Sequence, residues 1–394
     1  MLHRSLNYGV TRGIEMASFT YIMKICYQVL VTVVMCYGAY TCYNRQTGLM
    51  ARAGNRSFTL RKRESISFLW MMLFCLCEGV YTYICGEKGQ YIFDRAFYAK
   101  RFSLGIYTQS SSIGLYYLQD ILSGFTRNPD VLFFVTGALY ALITVIAYNN
   151  YEEKESQVWV LLCASQYLLY GCYQLKQALA SALIGLSIAF VSKNRKIWSV
   201  VFLIIALLFH EAAWVMVPVY IIIFNSKTKW IRNIGYIFLA LMVFGFQSFS
   251  TIVIRYASTL IPGLSNQLGL YVTDSGNLVT ENNMMTIFKG IPYYIITIEG
   301  FLYRNDLKER ISEYDAFLLL SAFVSVTTFL SAFMYWMWRF GELVYLPTFI
   351  FAARIYKEKD DSNSKLLFWL IVVLLAIFTY RKLFISYFSY GGLV

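Results

Sequence analysis

Charge is scarce in this sequence. Only 14% of its 394 residues are Asp, Glu, Lys or Arg, 58% are hydrophobic, and the mean hydropathy is +0.53. A soluble domain carries about a quarter charged residues. So apolar a chain cannot hide in one water-soluble core, which excludes an ordinary soluble enzyme and, equally, a disordered chain. Five prolines and 24 glycines leave no room for low-complexity linkers. The only histidines are His3 and His210, which argues against a His-based metal site. Cys26, Cys36, Cys42, Cys75, Cys77, Cys85, Cys163 and Cys172 fall almost entirely inside apolar runs. Cys75-x-Cys77 is too tight for ordinary metal spacing, so the cysteines are small buried hydrophobes rather than ligands or disulfides. No internal repeat is evident, which weakens the case for an inverted-repeat transporter.

What the sequence has is apolar length and aromatic rings. Eleven stretches are candidate bilayer crossings: Ile25–Tyr43, Ser65–Cys85, Val131–Tyr148, Val158–Tyr170, Leu175–Val191, Trp198–Phe224, Ile234–Val253, Met285–Tyr303, Ala316–Met334, Leu343–Ala353 and Leu366–Tyr380. The fold class is therefore all-α: a polytopic transmembrane helical bundle, with residues 1–394 forming one integral membrane domain. Aromatics make up 18% of the chain. Some anchor it at the headgroup level, and others offer faces for flat or sugar-like ligands. The first 20 residues lack the apolar core and cleavage site of a signal peptide.

The net charge of +12 is explained by topology rather than by nucleic acid. Twenty of the 34 basic residues lie in connections assigned to one side, which the positive-inside rule makes cytoplasmic. Trp198–Phe224 then has a basic cluster at each end, so both ends belong to that side. Two half-helices of about 13 residues reach only about 20 Å each. A re-entrant hairpin or a broken helix is expected, with His210 near its tip, the alternative being a single long tilted helix. Irregular backbone at membrane depth survives only where protein or a cavity surrounds it. On the far side lie two longer segments, 86–128 and 255–283. The first holds Asp94, Arg95, Lys100 and Arg101, and an amphipathic stretch, Ile113–Phe125, suited to the interface.

Ionisable groups inside spans are costly and are functional candidates. They are Glu78, Lys176, His210, Glu211, Lys289, Glu299, Arg339 and Glu342. His210 is either a packed core residue, or a general base or hydrogen-bond donor. Gln174 and Gln177 share a helix face beside Lys176, as a polar helix cap or as a patch for an anion or sugar hydroxyls. Arg339 is either an interfacial anchor paired with Glu342, or a fork for phosphate.

Two segments carry a resemblance. They are Tyr173-Gln-Leu-Lys-Gln-Ala-Leu-Ala180 and, about 30 residues on, Ala206-Leu-Leu-Phe-His-Glu-Ala-Ala213, with Pro218 and Tyr220 following. Together with Phe93-Asp-Arg-Ala-Phe-Tyr98, and with Arg339, Tyr345 and Pro347, the chain resembles the EpsG-type branch of Wzy polysaccharide polymerases. Lys176 stands where that family has Arg, which keeps the charge but loses the bidentate fork. Glu78 and Glu87 replace a more basic or Gly-containing lead-in to the Asp94 loop.

The resemblance implies a GT-C-like glycosyltransferase of the bacterial inner membrane with its active site facing the periplasm. Its substrate would be oligosaccharide repeat units on undecaprenyl diphosphate, with neither metal nor nucleotide cofactor. The lipid bilayer and a chain-length regulator are expected partners, and nucleic acid is not. A diphosphate leaving group suits Arg95, Arg101, Lys176, Arg255 and Arg339. The base would be His210, with Glu211 or Asp94 as rivals. Tyr98, Tyr335 and Trp336 suit sugar stacking. Other GT-C enzymes, such as an O-antigen ligase, are an alternative, although the long far-side loops contain no His. A flippase or transporter of lipid-linked sugars is the alternative of a different class.

Overall fold

A computed structural model describes residues 94–106, 112–151, 157–165, 174–244, 284–333, 337–359 and 361–390. The first two expected crossings, Ile25–Tyr43 and Ser65–Cys85, lie outside the described residues, as does Glu78. Among the described residues every element is helical. The order is α1 Asp94–Leu104, α2 Ile113–Ser123, α3 Pro129–Asn150, α4 Gln157–Ala164, α5 Leu175–Ser192 and α6 Lys196–Phe209. A 3-10 turn, Glu211–Val215, leads into α7 Met216–Phe224, α8 Lys229–Phe244, α9 Met284–Lys289, α10 Ile291–Leu302 and α11 Arg304–Leu307. Last come α12 Tyr314–Leu330, α13 Trp338–Glu342, α14 Tyr345–Lys359 and α15 Ser362–Tyr390. Within the described residues, α3, α5 and the Ser362–Thr379 part of α15 are long and apolar enough to cross a membrane, and several shorter apolar helices accompany them. The chain is a helical membrane protein.

The helix α3 shows how local signals set an element. Asn128 is extended and its side chain accepts from the Asp130 amide at 3.0 Å. Pro129 occupies the first turn, where its missing N–H costs nothing, and Asp130 suits the positive end of the helix dipole. Its 22 residues span about 33 Å, enough for the hydrocarbon layer. At the other end of the chain, Asp361 caps α15 by accepting from the Ser364 amide at 2.7 Å. That backbone bond holds its carboxyl below the ordinary Asp value.

Helix α5 is an interior helix of the bundle, as α12 is. The apolar window of α5 is 78% buried, against 28% for the Ser362–Thr379 part of α15, which is peripheral. The composition of α5 explains its burial, because Ala178, Ala180, Ser181, Ala182, Gly185, Ser187 and Ala189 let neighbouring backbones approach. A Cβ on Gly185 would come 2.8 Å from Leu346 of α14, and the Gly185 carbonyl accepts from the Tyr151 hydroxyl at 2.9 Å. Both α3 and α6 pack along α5. Hydroxyls join α10 to α12, where Thr297 meets Ser321 and Ser325 at 2.8 Å each.

The expected irregularity is present and takes the re-entrant form. Asn194, at φ +56°, turns the chain from α5 into an antiparallel α6. The 14 residues of α6 reach about 21 Å, short of a full crossing. The helix stops at His210, which is extended at φ −150°, ψ 130°. The chain then returns. Tyr220 of α7 points its hydroxyl at the Ile184 carbonyl (3.4 Å), beside Ser187 and Ser199. The Phe224 ring at the end of α7 lies 5.9 Å from the Nζ of Lys196, at the start of α6. Both ends of 196–224 therefore sit together, with His210 at the turn.

The end of the bundle away from that turn is basic. Arg232 Nη1 meets Asp315 Oδ2 at 2.6 Å, Arg304 Nε meets Oδ1 at 2.9 Å, and Lys308 approaches Oδ2 at 3.8 Å. The Asp315 side chain is 8% exposed. This carboxylate ties α8, α11 and α12, and its hydrogen bond raises the Arg304 guanidinium above its ordinary value. Arg354 stacks 5.0 Å from the Phe317 ring, and Lys359 pairs with Asp306 at 3.0 Å. Asp315→Ala leaves the buried Arg232 uncompensated and is expected to cost about 3–5 kcal/mol. Equilibrium unfolding in detergent micelles measures it, with a milder loss for Asp315→Asn.

Candidate active site

The site is the mouth at the hairpin turn, and its first component is the turn itself. His210 donates its amide to the Ala206 carbonyl at 3.0 Å, as the last bond of α6. Its Nδ1 then accepts the Ala212 amide at 2.9 Å and caps the 3-10 turn. A polar side chain satisfying a nearby amide competes with helix continuation. The sequence therefore interrupts the helix at His210, and Pro218 sits in the first turn of α7, where its missing N–H breaks no helical bond. Because Nδ1 is an acceptor here, the neutral ring carries its proton on Nε2 and offers a donor there.

The second component is the start of α5. Gln174 is its N-terminal flanking residue and makes no side-chain cap bond. Its Oε1 is buried with no hydrogen-bond partner among the described residues. Lys176 is half-buried. Gln177 turns inward and is 2% exposed. Its Nε2 donates to Glu342 Oε2 at 2.6 Å and to the Arg339 carbonyl at 2.9 Å, and Ser181 donates to the Glu342 carbonyl at 2.9 Å. Gln177 is thus a brace between α5 and α13. Gln174, the flanking residue, joins the helix through its carbonyl, which accepts from the Ala178 amide at 2.8 Å.

The third component is α13. Arg339 is half-buried, with its guanidinium 6.0 Å from the Trp338 ring and its Nε buried without a hydrogen-bond partner among the described residues. Glu342, expected as the ion partner of Arg339, is 1% exposed and takes the Gln177 amide. The hairpin turn packs on both α13 and α5. In consequence the charges of Lys176 and Arg339 both act on the His210 ring. Three groups up to 163 residues apart in sequence converge on one spot.

The segments before α3 close the mouth. Helix α1 packs on α3 through Ala99 and Phe133, in a cluster that includes Leu175 and, at its edge, Tyr98. Tyr98 is thereby placed next to the residue preceding Lys176. Arg101 lies over the Phe97 ring at 3.7 Å. Asp94 and Arg95 open α1, one turn before Tyr98, and their side chains are outside the described ones. Helix α2 crosses α6 so closely that a Cβ on Gly114 would sit 3.0 Å from the Phe209 ring, beside His210. Its outward face shows Ile113, Tyr117 and Ile121, as an interfacial helix requires. Glu211 follows His210 and is half-buried. Arg255, Tyr335 and Trp336 lie outside the described residues. Among those described, no group of three or more His, Cys, Asp or Glu side chains is arranged to hold a metal ion.

Sequence reading missed the Gln177–Glu342 bond. Both residues are visible as polar positions in apolar surroundings, but the 165 residues between them hide the pairing. A family model described as EpsG matches residues 88–392, which takes in every component of this mouth. No curated protein and no solved structure gives a significant match. By that match over most of its length, the chain belongs to the EpsG family, the family of Wzy-type polysaccharide polymerases.

Proposed function

We propose that this protein joins oligosaccharide repeat units carried on undecaprenyl diphosphate, at the periplasmic face of the bacterial inner membrane. The observation that carries this reading is the packing of the His210 turn of a re-entrant hairpin on α5 and α13, the helices that carry Lys176 and Arg339. A glycosyl transfer that releases a lipid diphosphate builds negative charge on the leaving oxygen. Prearranged cations and an N–H donor stabilise it where water is sparse. Lys176 supplies a point charge and Arg339 a guanidinium whose Nε has no partner among the described residues. The Nε2–H of His210 supplies the third donor, because Nδ1 is held by the Ala212 amide.

This arrangement favours His210 as a donor to the diphosphate over His210 as the base. The apolar outer faces of α6 and α2 suit a polyprenyl chain, with Ile197, Val201, Ile204 and Leu208 exposed along α6. The positive-inside rule sets the orientation. The basic end around Asp315 is cytoplasmic, so the mouth opposite it faces the periplasm. Tyr98, Arg101 and the loop residues Asp94, Arg95, Arg255 and Trp336 belong to that outer side and are assigned to sugar and phosphate contacts. Chain-length control by a partner protein fits the same face.

Cells lacking the protein are expected to carry surface glycan of one repeat unit only, seen as loss of the ladder on gels. A deletion strain with normal long chains defeats the reading. His210→Ala is expected to insert and fold normally while elongation falls by about 10²-fold or more, as for loss of one transition-state donor. An undiminished ladder from that variant removes His210 from the mechanism. Arg339→Lys retains the charge but loses the fork, and is expected to retain partial elongation in the same assay.

A further inference from the structure

A cavity of about 110 Å³ opens beside α13, on a wall formed by α9, α10, α12 and α15. Its lining includes Thr286, Lys289, Tyr293, Ser331, Trp338 and Glu342. This is an uncommon set for the interior of a membrane bundle, where polar groups are expensive. It combines a carboxylate, an ammonium, hydroxyls of both kinds, and aromatic rings. A sugar needs that combination, because each hydroxyl both donates and accepts while its C–H face packs on rings. The volume holds several waters or one ring-sized polar group.

The cavity and the diphosphate cluster share α13. Arg339 and Glu342 are three residues apart on that helix, which puts their Cβ atoms roughly 5–6 Å from each other. The His210 turn and Lys176 are on the Arg339 side, and the cavity is on the Glu342 side. Gln177 holds the carboxylate through Oε2 while also bonding the Arg339 carbonyl, so the two sides move as one unit. A transfer reaction needs this layout, with a leaving-group clamp and a base a few ångströms apart and in fixed relation.

We propose that this cavity is the acceptor-sugar subsite and that Glu342 is the catalytic base, an inference that rests on the function proposed above. The Glu342 carboxylate takes the proton from one acceptor hydroxyl. That oxygen forms a new C–O bond to the anomeric carbon of the donor sugar. The bond from that carbon to the diphosphate oxygen breaks, and its electron pair leaves with the lipid diphosphate, beside Lys176, Arg339 and His210. The proton on Glu342 then passes to water. Lys289, across the cavity, orients the acceptor by donating to its ring substituents.

The test uses the full-length protein in proteoliposomes, fed with lipid-linked repeat units extracted from cells lacking it. Glu342→Gln keeps the size and the bond from Gln177. Its turnover is expected to fall on the order of 10²- to 10⁴-fold, with retention of the labelled lipid-linked unit on the purified protein unchanged. Thr286→Phe fills the cavity and leaves the Glu342 carboxylate chemically unaltered. It is expected to raise the apparent KM at least about tenfold at an unchanged thermal midpoint. Should Glu342→Gln fail to fold, Thr286→Phe decides alone, since wild-type kinetics from it overturn the proposal. Wild-type turnover from both variants, with His210→Ala impaired, moves the acceptor site elsewhere and leaves the polymerase reading intact. A wild-type protein that makes no polymer from these units defeats the polymerase reading, and this proposal with it.

Discussion

The hydrogen bond from the Ala212 amide to His210 Nδ1 is the contact on which the site depends. Inside an apolar bundle an unwound amide has no water to turn to, and each unsatisfied group costs several kcal/mol. By capping the turn, His210 lets the chain stop 21 Å or so into the bundle and go back. The return puts Tyr220 beside Ile184 and Phe224 beside Lys196. One side chain thus shapes the backbone and, by the same bond, fixes which ring nitrogen faces outward. Structure and chemistry are coupled in a single imidazole.

The turn needs a surface to rest on, and α5 and α13 provide it. The small residues of α5 allow neighbours on all sides, so this helix can touch the hairpin, α3 and α14 at once. Gln177 then links α5 to α13 by a pair of bonds from one nitrogen. A buried carboxylate with an amide donor is far more tolerable than one alone, and its position is accordingly well determined. The same brace keeps Arg339 at the mouth.

Charge in this protein falls into two populations with different physics. At one end a single carboxylate, Asp315, gathers Arg232, Arg304 and Lys308 and so joins three helices. At the mouth, Lys176 and Arg339 lie on the helices that the His210 turn packs against, and Glu342 is engaged by Gln177. In the first arrangement the cations share a structural carboxylate; for the second, a bound anion is the natural complement. The net charge of +12 gave no hint of this division until the cations were assigned to positions.

The sequence by itself determined the helical membrane class, because 58% hydrophobic residues in runs of bilayer length admit little else. It also determined the break at His210. Basic clusters at both ends of one apolar stretch and a mid-stretch His-Glu pair are both local signals. Most candidate residues near the mouth were legible in the same way, as polar groups out of place in apolar surroundings. Only the tertiary structure decided where those groups lie and what they bond. It placed Gln174 at the start of α5 and Gln177 inside the bundle, and it gave Glu342 to Gln177 rather than to Arg339. It also turned the His210 ring so that Nδ1 accepts and Nε2 carries the donor proton. The reason is physical. A helical register reports which neighbours share a face, but a hydrogen bond across 165 residues depends on how helices pack, and no local spacing carries that information.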